Sequence, residues 1–64
     1  MEIYGFKIGD KVRLKDGDGR VHIIKEFIRV PGLHGLDFHR VIFKDESAIT
    51  HIFADGSTSM EKIN

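Results

Sequence analysis

Hydrophobic and polar residues alternate over short segments along most of this chain. Between residues 11 and 15, Val12 and Leu14 alternate with three cationic side chains, which is the pattern of a half-buried strand. The same two-residue period recurs over residues 37–44 and 48–53. Because successive side chains of a strand point to opposite faces, this pattern predicts an all-β protein.

The longest β-rich segment, residues 20–30, contains two adjacent apolar pairs, Ile23-Ile24 and Phe27-Ile28, that interrupt the alternation. Its many β-branched residues favour a strand over a helix. The pairs then predict a bulge, a strong bend or apolar residues on both faces. The interior of a small barrel accommodates only one face of each strand. The remaining apolar side chains are therefore turned inward by a bend, or they contact loop tips or another chain. The predicted apolar contact residues are Ile24, Ile28 and Phe53.

Glycine-containing turns divide these segments. Two consecutive Asp-Gly steps at residues 16–19 give the strongest turn signal, since glycine adopts positive φ without steric cost. Residues 31–35 predict a loop, and residues 57–61 resemble a helical turn because Thr58 and Glu61 have capping-box spacing. Together, the segments predict one domain over residues 1–64 with five strands and one short 3₁₀ turn before the last strand.

Composition narrows the class of protein. The chain has 41% hydrophobic residues and no cysteine, so it should fold without disulfides or thiolate metal sites. No apolar run approaches the roughly 20 residues that span a bilayer, and the first residues lack the features of a signal peptide. We therefore expect a cytoplasmic protein without a membrane partner. Ten basic and ten acidic residues cancel, which argues against strongly electrostatic nucleic-acid binding.

The segment Phe6-Lys7-Ile8-Gly9-Asp10-Lys11-Val12-Arg13 resembles the F-x-x-G-D-x-V-R opening of bacterial SH3-like families, including KOW and Tudor-like domains. The tail, from Val41-Ile42-Phe43 to Met60-Glu61-Lys62-Ile63, is similar to their V-x-F … L-E-K-I ending. The order of strands and turns is also that of these families. The resemblance implies a five-stranded SH3-like barrel, a fold that hosts many functions. It also implies partners such as RNA, ribosomal components or RNA polymerase.

Residues 9–64 also resemble the type II dihydrofolate reductases, which are SH3-like barrels that act as tetramers around one shared pore. Gly9-Asp10-Lys11-Val12-Arg13 is similar to their Gly-Asp-Arg-Val-Arg, and Met60-Glu61-Lys62-Ile63-Asn64 to their Leu-Glu-Arg-Ile-Asn. The family's pore motif Val-Gln-Ile-Tyr corresponds here to Thr50-His51-Ile52-Phe53, and Leu14 replaces the pore lysine. The resemblance thus implies an alternative, a diverged oligomeric reductase with a pore lined by His51, Ile52 and Phe53.

Other chemical motifs are incomplete. His34 and His39 have the spacing of two zinc ligands, but no nearby residues complete a set of three or four. Residues 16–19 lack the remaining ligands of a calcium loop and the Gly-Lys-Ser/Thr of a phosphate loop. Serines near His51 and Asp55 lack a G-x-S-x-G elbow. We therefore predict no metal, no cofactor and no catalytic residue.

Cationic residues on the strand at residues 11–15 form a further candidate site. If Val12 and Leu14 point inward, the cations stand about 6–7 Å apart on the outer face, close to the spacing of phosphates. Aspartates flank both ends of this segment, so a solvated strand face is the alternative interpretation. The predicted basic stripe consists of Lys11, Arg13, Lys15 and Arg20.

These features lead to one functional hypothesis and two alternatives. We expect a non-enzymatic SH3-like binding module, a bacterial or phage accessory protein that works as a free-standing domain. It would contact a protein complex or RNA/DNA, and it could also associate with itself into a dimer or larger oligomer. The alternatives are the diverged reductase and a structural subunit of a larger assembly.

Overall fold

The fold is known from a computed structural model that describes residues 2–17, 19–46 and 49–63. These residues form seven strands and one short 3₁₀ turn at Leu33–Gly35, which confirms the all-β prediction. None of the described segments is a helix long and apolar enough to cross a membrane. The strands are β1 (Glu2–Ile3), β2 (Phe6–Lys7), β3 (Lys11–Leu14), β4 (Val21–Val30), β5 (Phe38–Phe43), β6 (Ile49–Ile52) and β7 (Met60–Ile63).

Antiparallel pairing joins five of the strands into one sheet of order β6-β5-β4-β3-β7. Strands β3 to β6 follow one another as hairpins, and β7 returns to pair with β3. The short strands β1 and β2 form a separate hairpin. Within the described ranges the ladders do not close into a ring, although an isolated bridge joins Ile52 to Thr58 just before β7.

A β-bulge in β4 decides which of its side chains are buried. Ile24 is paired with Phe43 and Glu26 with Ile42, so the register shifts by one residue at this point. The extra residue reverses the alternation, and Phe27 as well as Ile24 packs with the core. The bulge interpretation of the apolar pairs is therefore confirmed.

The core is built from side chains of all five strands of the large sheet. Its members are Val12, Ile24, Val41, Phe43, Ile52 and Met60, each at most 2% exposed. The structure thus removes Ile24 from the predicted contact surface, because its side chain has no accessible area. Ile28 and Phe53, the other two predicted contact residues, are 40% and 54% exposed.

The predicted helical turn before the last strand is wrong. Thr58 Oγ1 donates a hydrogen bond to the His51 carbonyl at 2.7 Å and accepts one from the Met60 amide at 3.3 Å. The threonine therefore ties β6 to the start of β7 instead of capping a helix. The single 3₁₀ turn of the described chain lies between β4 and β5, where His34 and Gly35 both have positive φ.

An ion pair holds the β1–β2 hairpin against the main sheet. The Asp10 carboxylate, only 8% exposed, accepts hydrogen bonds from the Lys7 amide at 3.0 Å and from Lys62 Nζ at 3.3 Å. Lys62 Nζ also donates to the Gly5 carbonyl at 3.1 Å. The Gly-Asp step of the opening motif therefore connects the hairpin, β3 and β7.

A second contact fixes the tip of the hairpin. The Tyr4 hydroxyl donates to the Ala54 carbonyl at 2.6 Å, and the tyrosine ring lies over Gly56. A Cβ atom at Gly56 would approach Tyr4 Cδ1 to 2.9 Å, and the glycine has a φ of +89°. This position thus requires glycine for both reasons.

We predict that Asp10→Asn destabilises the fold at neutral pH by about 1–3 kcal/mol, because it removes the negative partner of Lys62. Burial acts to raise the pKa of Asp10, but the Lys7 amide and the Lys62 ammonium outweigh it and lower the pKa below 3.8. A lowered pKa stabilises the fold above that value, and the stabilisation is lost as the pH falls through the folded-state pKa.

Urea unfolding of both proteins between pH 7 and pH 2 measures this effect. The difference in unfolding free energy should be constant at neutral pH and shrink below about pH 4. Asp16→Asn, in the exposed turn after β3, is the control and should not alter the pH dependence. Parallel curves for wild type and Asp10→Asn would refute the assignment.

Candidate functional site

The side of β4, β5 and β6 that points away from the core carries mostly apolar side chains. Directly paired residues of antiparallel strands project to the same face of a sheet, so the register defines this surface, which we call the outer face. Its members are Glu26, Ile28, Val30, Phe38, Arg40, Ile42, Ile49, His51 and Phe53.

Several apolar side chains of the outer face are exposed to solvent and do not contribute to the core. Ile49 is 60% exposed and Phe53 is 54% exposed, whereas Thr50 and Ile52, which alternate with them, are buried. Ile28 contributes a third exposed side chain at 40%. Contiguous apolar surface of this kind is characteristic of interaction sites.

Ring contacts order one end of the outer face. The Phe38 ring meets the His51 ring edge to face with centroids 5.4 Å apart, and His51 stacks on Phe53 at 6.3 Å. Phe38 and Phe53 lie 6.4 Å apart. These contacts fix the three rings relative to one another, so a partner would bind them with little further loss of side-chain entropy.

An open cleft of about 410 Å³ borders the aromatic end of the outer face. Leu36, which is 63% exposed, and Phe53 provide its apolar surface. Asp55 lies at the rim, and its carboxylate accepts hydrogen bonds from the Ser57 hydroxyl at 2.7 Å and the Ser57 amide at 2.9 Å. These bonds lower the pKa of Asp55, so the rim carries a negative charge at neutral pH.

The predicted basic stripe lies elsewhere on the sheet. Lys11, Arg13, Lys15 and Arg20 are all exposed. Arg13 is paired across the strands with Glu61, and its Nε donates to the Gly19 carbonyl at 3.2 Å. The register therefore places one acidic residue directly beside the stripe.

The three residues of the predicted pore do not share one surface. His51 and Phe53 belong to the outer face, but Ile52 is fully buried in the core between them. Because neighbouring residues of a strand point to opposite sides, these three side chains cannot line one opening. The structure therefore corrects the pore prediction at Ile52.

Buried and half-buried polar side chains outside the outer face make local structural contacts. His22 is buried, stacks on Phe43 at 4.8 Å and lies with Nδ1 3.0 Å from an oxygen of Asp45. Ser59 contacts the Thr50 hydroxyl at 2.7 Å. Across the described ranges, no three histidine, aspartate or glutamate side chains are grouped closely enough to hold a metal ion.

Most of the outer face was missed by the sequence analysis. The alternation over residues 48–53 places Ile49 on the same side of its strand as Phe53, so a signal for Ile49 was present. That this side of β6 points away from the core follows only from the pairing of β6 with β5. Comparisons of the chain with protein-family models, with curated proteins and with solved structures gave no match.

We predict that Ile49→Thr changes the unfolding free energy by less than about 0.5 kcal/mol, because the side chain is exposed and threonine retains the β-branch. Val41→Ala, in the core, should instead cost more than about 1 kcal/mol. Urea unfolding of a dilute sample compares the two. An equal loss at both positions would mean that the outer face belongs to the packed interior.

Proposed function

We propose that this chain is a non-enzymatic SH3-like binding module that contacts another protein through its outer face. The strand order supports an SH3-like barrel, since four successive antiparallel strands are followed by one that returns to the first of them. The bridge between Ile52 and Thr58 supports closure of that barrel, because it brings β6 to the segment that leads into β7.

The observation that carries the proposal is the separation between the core and the outer face. Six side chains at most 2% exposed already form a continuous core. The apolar residues of the outer face lie beyond it, and Ile49 and Phe53 remain more than half exposed. Their removal from water on binding would contribute roughly 25 cal/mol per Å² of apolar surface.

The chemistry of the outer face favours a protein over a nucleic acid. Phosphate binding depends on accumulated positive charge. The outer face instead carries one cation, Arg40, and one anion, Glu26. The cleft beside it adds the carboxylate of Asp55. The basic stripe is a weaker candidate because the strand register places Glu61 directly opposite Arg13, and Arg13 Nε already donates to the Gly19 carbonyl. The reductase alternative loses support because Ile52 lies in the core.

A capture experiment tests the proposal. The immobilised chain is incubated with an extract of the organism that encodes it, and the retained proteins are identified by mass spectrometry. Phe53→Asp should abolish retention, since a carboxylate within an apolar contact is costly to desolvate. Val21→Asp is the matched control, because Val21 is 47% exposed but is paired with Arg13 on β3.

Retention that is unchanged by Phe53→Asp would contradict a contact through the outer face. Retention of nucleic acid that is lost in Lys11→Ala/Lys15→Ala and at high salt would instead assign the function to the basic stripe. Circular dichroism of each variant verifies that the fold is retained.

A further inference from the structure

Four residues near the centre of the outer face form a pattern of alternating chemistry. Glu26 is paired with Ile42, and in the adjacent outward-facing pair Ile28 lies opposite Arg40. The two charged residues thus occupy one diagonal of a four-residue square, and the two isoleucines occupy the other. We call these four residues the central square.

Both charges of the central square are available to a partner. Glu26 and Arg40 are exposed, and neither takes part in the ion pairs formed within residues 2–17, 19–46 and 49–63. Arg29, on the opposite side of β4, is by contrast bonded to Asp37 at 3.2 Å. Unpaired charges of opposite sign within an apolar face provide the complementarity that protein interfaces use for specificity.

We propose that the partner of the outer face is a second copy of this chain, related to the first by a two-fold axis along the isoleucine diagonal of the central square. This proposal rests on the proposed function, because it names the occupant of the same surface. The axis lies between the two facing sheets. It sets each Glu26 against the partner's Arg40 and packs Ile28 and Ile42 each on its own symmetry mate.

The central square fits a two-fold arrangement, because an isologous interface must be self-complementary and each charge of the square then meets the opposite charge of the other copy. Both ion pairs form at once, and the apolar contacts lie between them. The two sheets then cross at a large angle, which is a common way for β-sheets to pack. The formal net charge of zero leaves no overall repulsion between copies.

The size of the outer face determines the affinity expected for the dimer. A standard interface buries about 800 Å² per partner from about 20–30 residues a side, whereas the outer face has nine residues. Leu36, which is 63% exposed in the loop between β4 and β5, lines the same cleft as Phe53 and extends the outer face. We therefore expect a dimer with a dissociation constant of order 1–100 µM.

Charge reversal at the central square tests the proposal by sedimentation equilibrium. Glu26→Arg alone and Arg40→Glu alone each place like charges together twice in the dimer, so each should weaken self-association at least about tenfold. An equimolar mixture of the two single variants should form a heterodimer, because position 26 of each chain then meets an opposite charge at position 40 of the other. The double variant E26R/R40E should recover association to within about threefold of wild type.

Matched controls carry the same charge changes away from the outer face. Glu2→Arg and Lys11→Glu, both exposed, should leave the dimer unchanged. Association that is weakened by the single variants but not restored by mixing them would overturn the two-fold arrangement. It would also be overturned by a wild-type chain that stays monomeric at about 1 mM, well above the expected dissociation constant.

The capture experiment separates failure of this inference from failure of the proposed function. A monomeric wild-type chain that still retains a different protein, with retention lost in Phe53→Asp, refutes the second copy and leaves the binding module intact. A monomeric chain with no retention that depends on Phe53 refutes both.

Discussion

A one-residue bulge at Lys25 in β4 decides which side chains of the sheet face the core and which face solvent. Strand β4 pairs with β3 near its start and with β5 over the rest of its length, so its two ends belong to different parts of the sheet. One extra residue between those parts reverses the side to which the later side chains point. Ile24 and Phe27 therefore both face the core, and Ile28 faces solvent.

This division of the β4 side chains between core and solvent completes the core and leaves further apolar side chains exposed. Strands β5 and β6 inherit their outward side from β4 through the register, which places Ile42 and Ile49 beside Ile28 and Glu26. The β1–β2 hairpin covers another part of the core with Ile3 and Phe6, and Asp10 and Lys62 secure it. The outer face has no such cover among the described residues. Its exposure is therefore a consequence of how β4 is built, and this is why we propose that it binds a partner.

The two-residue alternation of apolar and polar residues and the Asp-Gly and Pro-Gly turns predicted the strands of the main sheet. Both signals are local properties of the sequence. The bulge was predicted only as one of three options, since the choice depends on the partner strand, and for that reason Ile24 was assigned to the wrong side. Thr58 has the spacing of a helix cap but bonds across strands, a distinction that the spacing does not contain. The β1–β2 hairpin was missed because strands of two residues are too short to show a period.

The solvent accessibility of individual isoleucine methyl groups reports on the reversal of side-chain direction at Lys25. A soluble paramagnetic probe broadens the NMR signals of methyl groups in proportion to their exposure, and the measurement is made at a concentration where the chain is monomeric. We predict that the methyl signals of Ile24 and Ile52 persist, whereas those of Ile28 and Ile49 are strongly broadened. Equal broadening of Ile24 and Ile28 would contradict the reversal at Lys25, and with it the assignment of the outer face.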